Sequence, residues 1–182
     1  MQPTTPETKA QDLAPEESRV HLRDALKEFT SMMVATYDKK GKHPRLHARP
    51  LLVAKVEDDC SLYFVTRRED DAPKNGEEST EDGSVIAQSL TRQVSMLGTI
   101  EYSSDRGLLN DLWKLPFNLF FGKGKDDPQA CLLIFRPRDA ELWDLSGKNG
   151  LKFLFDAAKS LMQRKTPDFT GDQHEIMKLH RS

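Results

Sequence analysis

The stretch of sequence that decides the fold comprises three runs: LHARPLLV (46–53), SLYFVT (61–66) and RQVSMLGTIEY (92–102). β-Branched, aromatic and other apolar residues are frequent in these runs, which predicts β-strands. The polar turn EDDC (57–60) joins the first two runs. Such a short turn cannot make a parallel crossover, so these two strands must be antiparallel.

Similar runs on both sides give six or seven short strands and three helical pieces in all. The predicted strands are 31–37, 44–56, 62–66, 85–89, 93–102, 130–135 and 140–143, and the predicted helices start at Pro15, cover 105–113 behind a Ser104 cap, and cover 151–162. The sequence therefore predicts a mainly β fold, an antiparallel barrel with peripheral helices.

The size and charge of the chain indicate one domain. It has 182 residues, 37% of them hydrophobic, with 27 basic and 29 acidic side chains. We expect a polar, flexible tail over 1–14, the barrel domain over 15–165, and a polar, loosely held extension over 166–182. The near balance of charge argues against a nucleic-acid binder, which usually has a basic face.

The cysteines and the hydropathy pattern point to an ordinary intracellular protein. Cys60 and Cys131 lie far apart, outside any zinc-ligand spacing, so we expect two reduced thiols, in a turn and on a buried strand, and no metal site. No run reaches membrane-spanning length and no signal peptide is evident, which predicts a cytoplasmic location without membrane association.

The first run carries polar side chains of the kind that bind an anionic cofactor. His47 and Arg49 alternate with Ala48 and Pro50, so both project from the same face of a strand. Pro50 cannot donate a ladder hydrogen bond, which indicates a sheet edge or a local break with backbone groups left for a ligand. The alternative is a solvated basic face on an edge strand.

Three more polar residues lie at the ends of these strands or in the loop between them. Thr66 and Lys74 together could bind a phosphate, although Lys74 lies among seven acids in the 67–83 loop, where it could equally be a solubilising charge. Gln93 can donate and accept at the polar edge of a flavin or pyrimidine ring, or simply be a surface residue. The aromatic cluster around 113–121 is interpreted as core rather than as a ring-stacking platform.

The order of the motifs is more specific than any one of them. The chain resembles the pyridoxamine-phosphate-oxidase-like split-barrel flavoproteins, most closely the bacterial general stress protein branch, over roughly Leu22 to Leu179. The motifs that carry the resemblance are ARPL (48–51), LYFVT (62–66), PK (73–74), RQVSMLGT (92–99), DR (105–106), LW (112–113), GKDDP (124–128) and AELWD (140–144).

The resemblance implies a split β-barrel homodimer that holds FMN, with FAD as the alternative, at the subunit interface. In such proteins the strand matching Arg49 to Leu51 runs along the flavin, with Arg49 on the phosphate or ribityl side. The implied cofactor-binding residues are His47, Arg49, Pro50, Leu51, Val65, Thr66, Lys74 and Gln93. Among these, Lys74 and Thr66 would contact the phosphate and Gln93 the ring, and His47 is the sole candidate for acid–base chemistry.

Two departures from the family pattern concern the phosphate side and the substrate. Ala72 stands where a small hydroxyl residue is usual before the Pro73–Lys74 pair, and the acidic loop is longer than usual. Reduced phosphate affinity or a different ligand is the alternative that these departures leave open. A basic set for pyridoxamine phosphate near the C-terminus is not evident, which disfavours vitamin-B6 oxidation.

The sequence leaves three hypotheses about function. The first is an FMN-binding oxidoreductase-like stress protein that transfers a hydride or an electron to or from an unidentified small substrate. The second is a non-enzymatic flavin-binding or flavin-buffering protein in a stress response. The third is a heme or deazaflavin binder on the same barrel.

Overall fold

The computed structural model describes residues 15–38, 45–67, 81–146 and 174–179. These residues contain two helices, α1 (Pro15–Leu26) and α2 (Arg106–Asp111), and two 3₁₀ turns, Leu115–Leu119 and Gly124–Asp126. The strands are β1 (Ser31–Asp38), β2 (Arg45–Val56), β3 (Leu62–Arg67), β4 (Glu81–Gln88), β5 (Arg92–Ser103), β6 (Ala130–Asp144) and β7 (His174–Lys178).

The strands form one antiparallel sheet that closes on itself. Its order is β3-β2-β1-β4-β5-β6-β7, and β3 also pairs with β6, which closes a six-stranded barrel. The second half of β6 continues past β3 and pairs with β7. The predicted antiparallel barrel with peripheral helices is thus confirmed.

Two predicted boundaries were wrong. β4 starts at Glu81, four residues before the predicted start, because the end of the acidic loop pairs with Thr99 and Ile100 of β5. The two expected closing strands are one strand, β6, which continues through Pro137 by means of a bulge: Leu97 pairs with Asp139 and Gly98 with Pro137. The extra residue of the bulge is Arg138, directly beside Pro137, and a bulge is one of the places where a sheet tolerates a proline.

The barrel interior is filled by alternate residues of every strand. In β4, β5 and β6 the inward residues are nearly all apolar and fully buried, for example Val85, Met96 and Leu142. Gly98 also points inward, and a Cβ there would overlap the carbonyl oxygen of Arg136, so only glycine allows β5 and β6 to approach this closely.

Helix α1 closes one end of this interior. Pro15 lies in its first turn with Glu16 and Glu17, as the N-terminal helix dipole favours. The predicted apolar stripe is confirmed: Leu22 and Leu26 are fully buried in the barrel core. Phe29, expected on the same stripe, lies beyond the helix end but packs against the same core.

A charged network fastens α1 to the barrel. His21 Nε2 lies 3.0 Å from an Asp144 carboxylate oxygen, and Arg92 Nε donates to the same oxygen at 2.9 Å. Arg92 also pairs with Glu28, just after α1. Burial opposes ionisation of Asp144, but hydrogen bonds from Ser146, His21 and Arg92 outweigh it and lower its pKa to about 2.

A second apolar cluster covers the outer wall of β2, β3 and β6. Leu109 of α2 and two aromatic rings, Phe117 and Phe121, are buried there. Trp113 contacts both rings edge to face, with centroids 5.6 and 5.5 Å away. The interpretation of these aromatics as core is confirmed for Phe117 and Phe121.

Helix α2 is one residue shorter at its start than predicted. Its cap is Asp105, whose side chain accepts a hydrogen bond from Leu108 N at 3.1 Å, and not Ser104. A carboxylate at this position also interacts favourably with the helix dipole, which explains why it displaces the serine as the cap.

The C-terminal extension is not loosely held throughout. Residues 174–178 form β7, which pairs with residues 139–143 of β6, and Met177 and Leu179 are buried. The prediction was wrong for these residues because it rested on the polar residues around them and overlooked the apolar side chains of Met177 and Leu179. The predicted helix over 151–162 lies outside the described residues.

Candidate functional site at the open end of the barrel

The two ends of the barrel differ. At the end opposite α1, six inward positions surround the mouth, and we call this the open end: Thr36, His47, Thr66, Gly83, Tyr102 and Cys131. The pairs that define it are Thr36 with His47 and with Gly83, and Thr66 with Cys131.

Arg49 is held inside this mouth. It lies opposite Val34, a core residue of β1, so strand alternation directs its side chain inward. Its Nη2 donates to the Tyr102 hydroxyl at 3.1 Å, across the barrel from β2 to β5. Burial raises the pKa of Tyr102, although the Arg49 cation opposes that rise. The neutral phenol of Tyr102 therefore orients the Arg49 guanidinium without any ligand.

The barrel wall is split beside Arg49. In the described residues, β2 pairs with β1 from Arg45 to Leu52 and with β3 only from Val53 onward. Pro50 lies in the part of β2 that has a strand on one side only, opposite Met33 of β1. The prediction that Pro50 marks an edge is confirmed here, and the backbone from Arg49 to Leu52 faces a gap rather than a ladder.

Thr66 lies on the other side of this gap. It is buried, points inward, and pairs with Cys131, whose Sγ donates to the Thr66 carbonyl at 3.6 Å. Cys131 and Glu81 both lie close enough to Tyr102 to influence its pKa. Arg49 and Thr66 thus approach the same polar mouth, with the carboxylate of Glu81 as an opposing charge.

The structure places the other predicted site residues in different surroundings. His47 is exposed at the mouth, whereas the side chain of Leu51 is buried in the barrel core. Val65 points outward into the second apolar cluster, so a ligand could reach it only through its backbone. Lys74 lies outside the described residues.

Gln93 is not brought to this mouth within one chain. It starts β5 at the α1 end, opposite Gln88 and Trp143, and is exposed on the outer face. Tyr102 lies nine residues further along the same strand, a separation of roughly 30 Å at the usual rise of a strand. Arg49 and Gln93 of one chain therefore cannot contact the same small ligand.

Two residues at the open end were not predicted from the sequence. Tyr102 lies an even number of residues after Val94, Met96 and Ile100, whose side chains point into the barrel. This spacing could have predicted that Tyr102 points inward too. Arg67 donates to the Gln129 side chain at 2.9 Å and to the Phe120 carbonyl at 2.5 Å, contacts that join distant segments and leave no sequence pattern.

The donors at this mouth suit an anion. A guanidinium makes charge-assisted bonds to phosphate and a hydroxyl adds a neutral donor, and both are oriented by the barrel. Among the described residues, no group of three His, Cys, Asp or Glu side chains could hold a metal ion. Nor is any of the described helices sufficiently long and apolar to span a bilayer.

Comparisons with known proteins agree with this architecture. A protein designated general stress protein 26 from Jannaschia sp. CCS1 is 24% identical, with a TM-score of 0.64 over 89% of this chain and 98% of that one. The general stress FMN/FAD binding protein of Xanthomonas citri is 22% identical, with a TM-score of 0.54 over 71% and 89%. At these identities the likeness establishes a shared fold.

A Clostridium acetobutylicum protein related to general stress protein 26 is 16% identical, with a TM-score of 0.54 over 71% of this chain and 89% of that one. No curated protein matches the chain. The model of the family described as pyridoxamine 5'-phosphate oxidase like matches residues 17–168, which include most of α1 and all of β1 to β6 and α2. The chain therefore belongs to the pyridoxamine 5'-phosphate oxidase-like family.

Proposed function

We propose that this protein binds a flavin, FMN in the first instance, and uses it for hydride or electron transfer with a small substrate. The observation that carries the proposal is the convergence of Arg49 and Thr66 beside the gap between β2 and β3. The family supports it, and a neighbour of the same fold is described as binding FMN or FAD.

The residues of the mouth would hold the anionic part of the cofactor. Arg49 would neutralise the phosphate charge, and Thr66 would donate to a phosphate oxygen. The unpaired side of β2 from Pro50 to Leu52 would follow the ribityl chain with its backbone groups. The bound flavin would supply the redox chemistry, while the chain sets its position and its electrostatic surroundings.

Lys74 and Gln93 retain their predicted roles in this proposal. Lys74 would contact the phosphate, with its acidic neighbours reducing its contribution. Gln93 would contact the ring of a flavin held by the Arg49 of a second copy, because the two residues of one chain lie at opposite ends of the barrel.

An uncovered apolar face supports a homodimer. On the outer side of β1, β2, β4 and β5, four large side chains are substantially exposed: Met33 39%, Leu46 59%, Ile86 46% and Leu97 53%. Ile86 lies opposite both Met33 of β1 and Ser95 of β5, so the face is continuous across strands. Gln93 lies on this same outer face of β5, which fits a cofactor site completed at the interface.

The visible spectrum of the purified protein tests the cofactor. We expect flavin absorbance bands, release of FMN on denaturation, and a rise in melting temperature when FMN is added to stripped protein. A colourless preparation whose melting temperature does not respond to FMN or FAD contradicts the proposal. A Soret band would favour the heme alternative, and a tightly held deazaflavin would appear in the released-cofactor mass.

Turnover separates an oxidoreductase from a flavin buffer. Reduction of the bound flavin by NADH or NADPH, followed by repeated reoxidation by an added acceptor, supports catalysis. Stoichiometric binding without turnover would favour the buffering role instead. The cytoplasmic location stays a prediction.

Sedimentation of a charged variant tests the interface. Ile86→Arg places a cation in the centre of the apolar face, and we expect it to dissociate the dimer and to weaken FMN binding. Leu90→Arg, on the exposed turn between β4 and β5, is the matched control and should stay dimeric. A monomeric parent protein, or an Ile86→Arg dimer, contradicts this interface.

A further inference from the structure

A second cleft lies on the outer wall of the barrel, away from the Arg49 mouth. It has a volume of about 330 Å³ and lies between the outer side of β2, the segment that follows α1, and the 3₁₀ turn Leu115–Leu119. Its lining includes Lys27, Lys55 and Lys114 together with Leu52, Ala54 and Phe117. This volume is in the range of clefts that bind small organic molecules.

A β-bulge builds one side of the cleft. Val53 pairs with Phe64 and Lys55 with Tyr63, so Ala54 is the extra residue in β2. Without the bulge, alternation would direct Lys55 into the barrel together with Val53. With it, Ala54 and Lys55 both belong to the outer side, where Ala54 and Tyr63 pack in the second apolar cluster. The bulge therefore delivers a cation to the edge of an apolar floor.

The charged side chains in the lining of the cleft are all cations. The lining contains three lysines, and none of its described residues is acidic. Asp24 lies 3.8 Å from Lys27, and Glu57 lies 2.7 Å from Lys55, so two of the cations are partly compensated from outside the lining. Lys114 instead donates to a neutral group, the Val53 carbonyl, at 3.4 Å.

The floor of the cleft is apolar. Ala54 and Phe117 are buried and Leu52 is half-buried, so an aromatic or aliphatic body would cover their remaining surface. The rim, in contrast, is exposed and cationic. A ligand that fits both features has an apolar body and a negatively charged group, such as an aromatic carboxylate.

We propose that this cleft binds a small organic anion with an apolar body, as the substrate class of the protein. Binding follows from the cleft alone; the assignment as substrate rests on the proposed flavin function. The position supports that assignment, because β2 leads from Arg49 to Ala54 in five residues, about 17 Å of strand. A cofactor laid along β2 would thus end close to the cleft.

A matched pair of probes tests the charge requirement. We would titrate 2-naphthoate and its neutral amide, 2-naphthamide, into the protein and follow backbone amide NMR signals. We expect naphthoate to shift the signals of Thr30, Lys55 and Phe117 and to bind about fivefold or more tightly than naphthamide, with the preference reduced by salt. Equal binding of both probes, or shifts confined to other regions, would overturn the proposal.

Lysine variants locate the charge. Lys114→Gln should weaken naphthoate binding by about fivefold, with little effect on naphthamide. Lys123→Gln and Lys125→Gln, on the turn after Phe121, are controls of the same chemistry and should leave both affinities unchanged. If Lys114→Gln binds naphthoate as tightly as the parent protein does, the assignment of the cleft is wrong. The comparison of the two probes uses the parent protein alone, so that test does not depend on the folding of a variant.

An FMN titration separates this inference from the proposed function. If FMN binds and naphthoate binds alongside it, both stand. If FMN displaces naphthoate and Lys114→Gln weakens FMN itself, the cleft belongs to the cofactor and the substrate assignment fails while the flavin function stands. If no flavin binds, the proposed function and the substrate assignment fail, and the naphthoate result still decides whether the cleft is an anion site.

Discussion

The two ends of the barrel use their interior positions differently. At the closed end, α1 inserts Leu22, Ala25 and Leu26, all fully buried, and His21 and Arg92 both bond to the carboxylate of Asp144. At the open end, inward positions carry Arg49, Thr66 and Tyr102, and one flank of β2 lacks a strand. The difference separates stability from binding: one end buries apolar surface, and the other keeps oriented donors.

The largest effect is expected from a cavity at the closed end. Leu22→Ala removes a fully buried side chain, and we expect a loss of about 2–5 kcal/mol in the free energy of unfolding. Urea denaturation measures it. Val20→Ala, on the exposed side of the same helix, should change stability by no more than about 0.5 kcal/mol. Equal losses in the two variants would show that α1 does not seal the barrel.

The open end should respond in binding more than in stability. Arg49→Met keeps the length of the side chain but removes its charge, and we expect flavin affinity to fall by about 1.5–3 kcal/mol, the usual value of a charge-assisted hydrogen bond. Fluorescence titration of FMN measures it, with Arg138→Met, an exposed β6 cation, as control. Unchanged affinity in Arg49→Met would remove Arg49 from the cofactor site.

A smaller effect is expected from the charged network at the closed end, whose contribution to the free energy of unfolding should depend on pH. Since the pKa of Asp144 is lowered from 3.8 to about 2 in the folded protein, its ionised form stabilises the fold above about pH 4, and that contribution is lost as the pH falls towards 2. Asp144→Asn should therefore cost about 1–2 kcal/mol at pH 7 and progressively less between pH 4 and 2.

Asp58→Asn, at a 95% exposed carboxylate, is the matched control for that experiment. It should change the free energy of unfolding by no more than about 0.5 kcal/mol at pH 7. A constant penalty for Asp144→Asn down to pH 2 would mean that the ionised carboxylate is not the stabilising species. Denaturation curves at several pH values measure both variants.

The smallest effect is expected in thiol reactivity, which compares the two ends in one molecule. Cys60 lies under α1, with its Sγ directed to the Arg19 carbonyl, and burial raises its pKa to about 11. Cys131 lies at the open end, below Thr66. Both should react slowly with iodoacetamide, and Cys131 before Cys60, because exposing Cys60 requires displacement of α1. Mass spectrometry of time points gives the order, and faster labelling of Cys60 would reverse the comparison.

Much of the fold could be predicted because local patterns and tertiary structure agree. The 62–66 run is rich in aromatic and β-branched residues, as strands are, and its short turn requires a hairpin with β2. Pro50 indicated a sheet edge because a proline lacks the N–H that a neighbouring strand would need for a ladder hydrogen bond. This holds in any sheet. Both features depend only on a few consecutive residues, and the structure that these residues favour locally is the one they adopt in the barrel.

The features that the sequence did not reveal concern residues whose surroundings depend on distant partners. Met177 and Leu179 became anchors only because β6 extends beyond β3 and offers a free edge to β7. Lys55 turned outward because of a bulge, which alternation in β2 alone does not predict. The side chain of Val65, which the resemblance assigns to the cofactor site, packs in the second apolar cluster with Leu109 and Phe117, so its assigned role falls to its backbone.

By itself, the sequence determined the strands, the antiparallel barrel and the family, because alternation, turn chemistry and motif order are written in neighbouring residues. The tertiary structure alone decided which polar groups meet. It joined Arg49 to Tyr102 across 53 positions and placed Gln93 at the other end of the barrel, because register and barrel closure are set by the sum of all strand pairings.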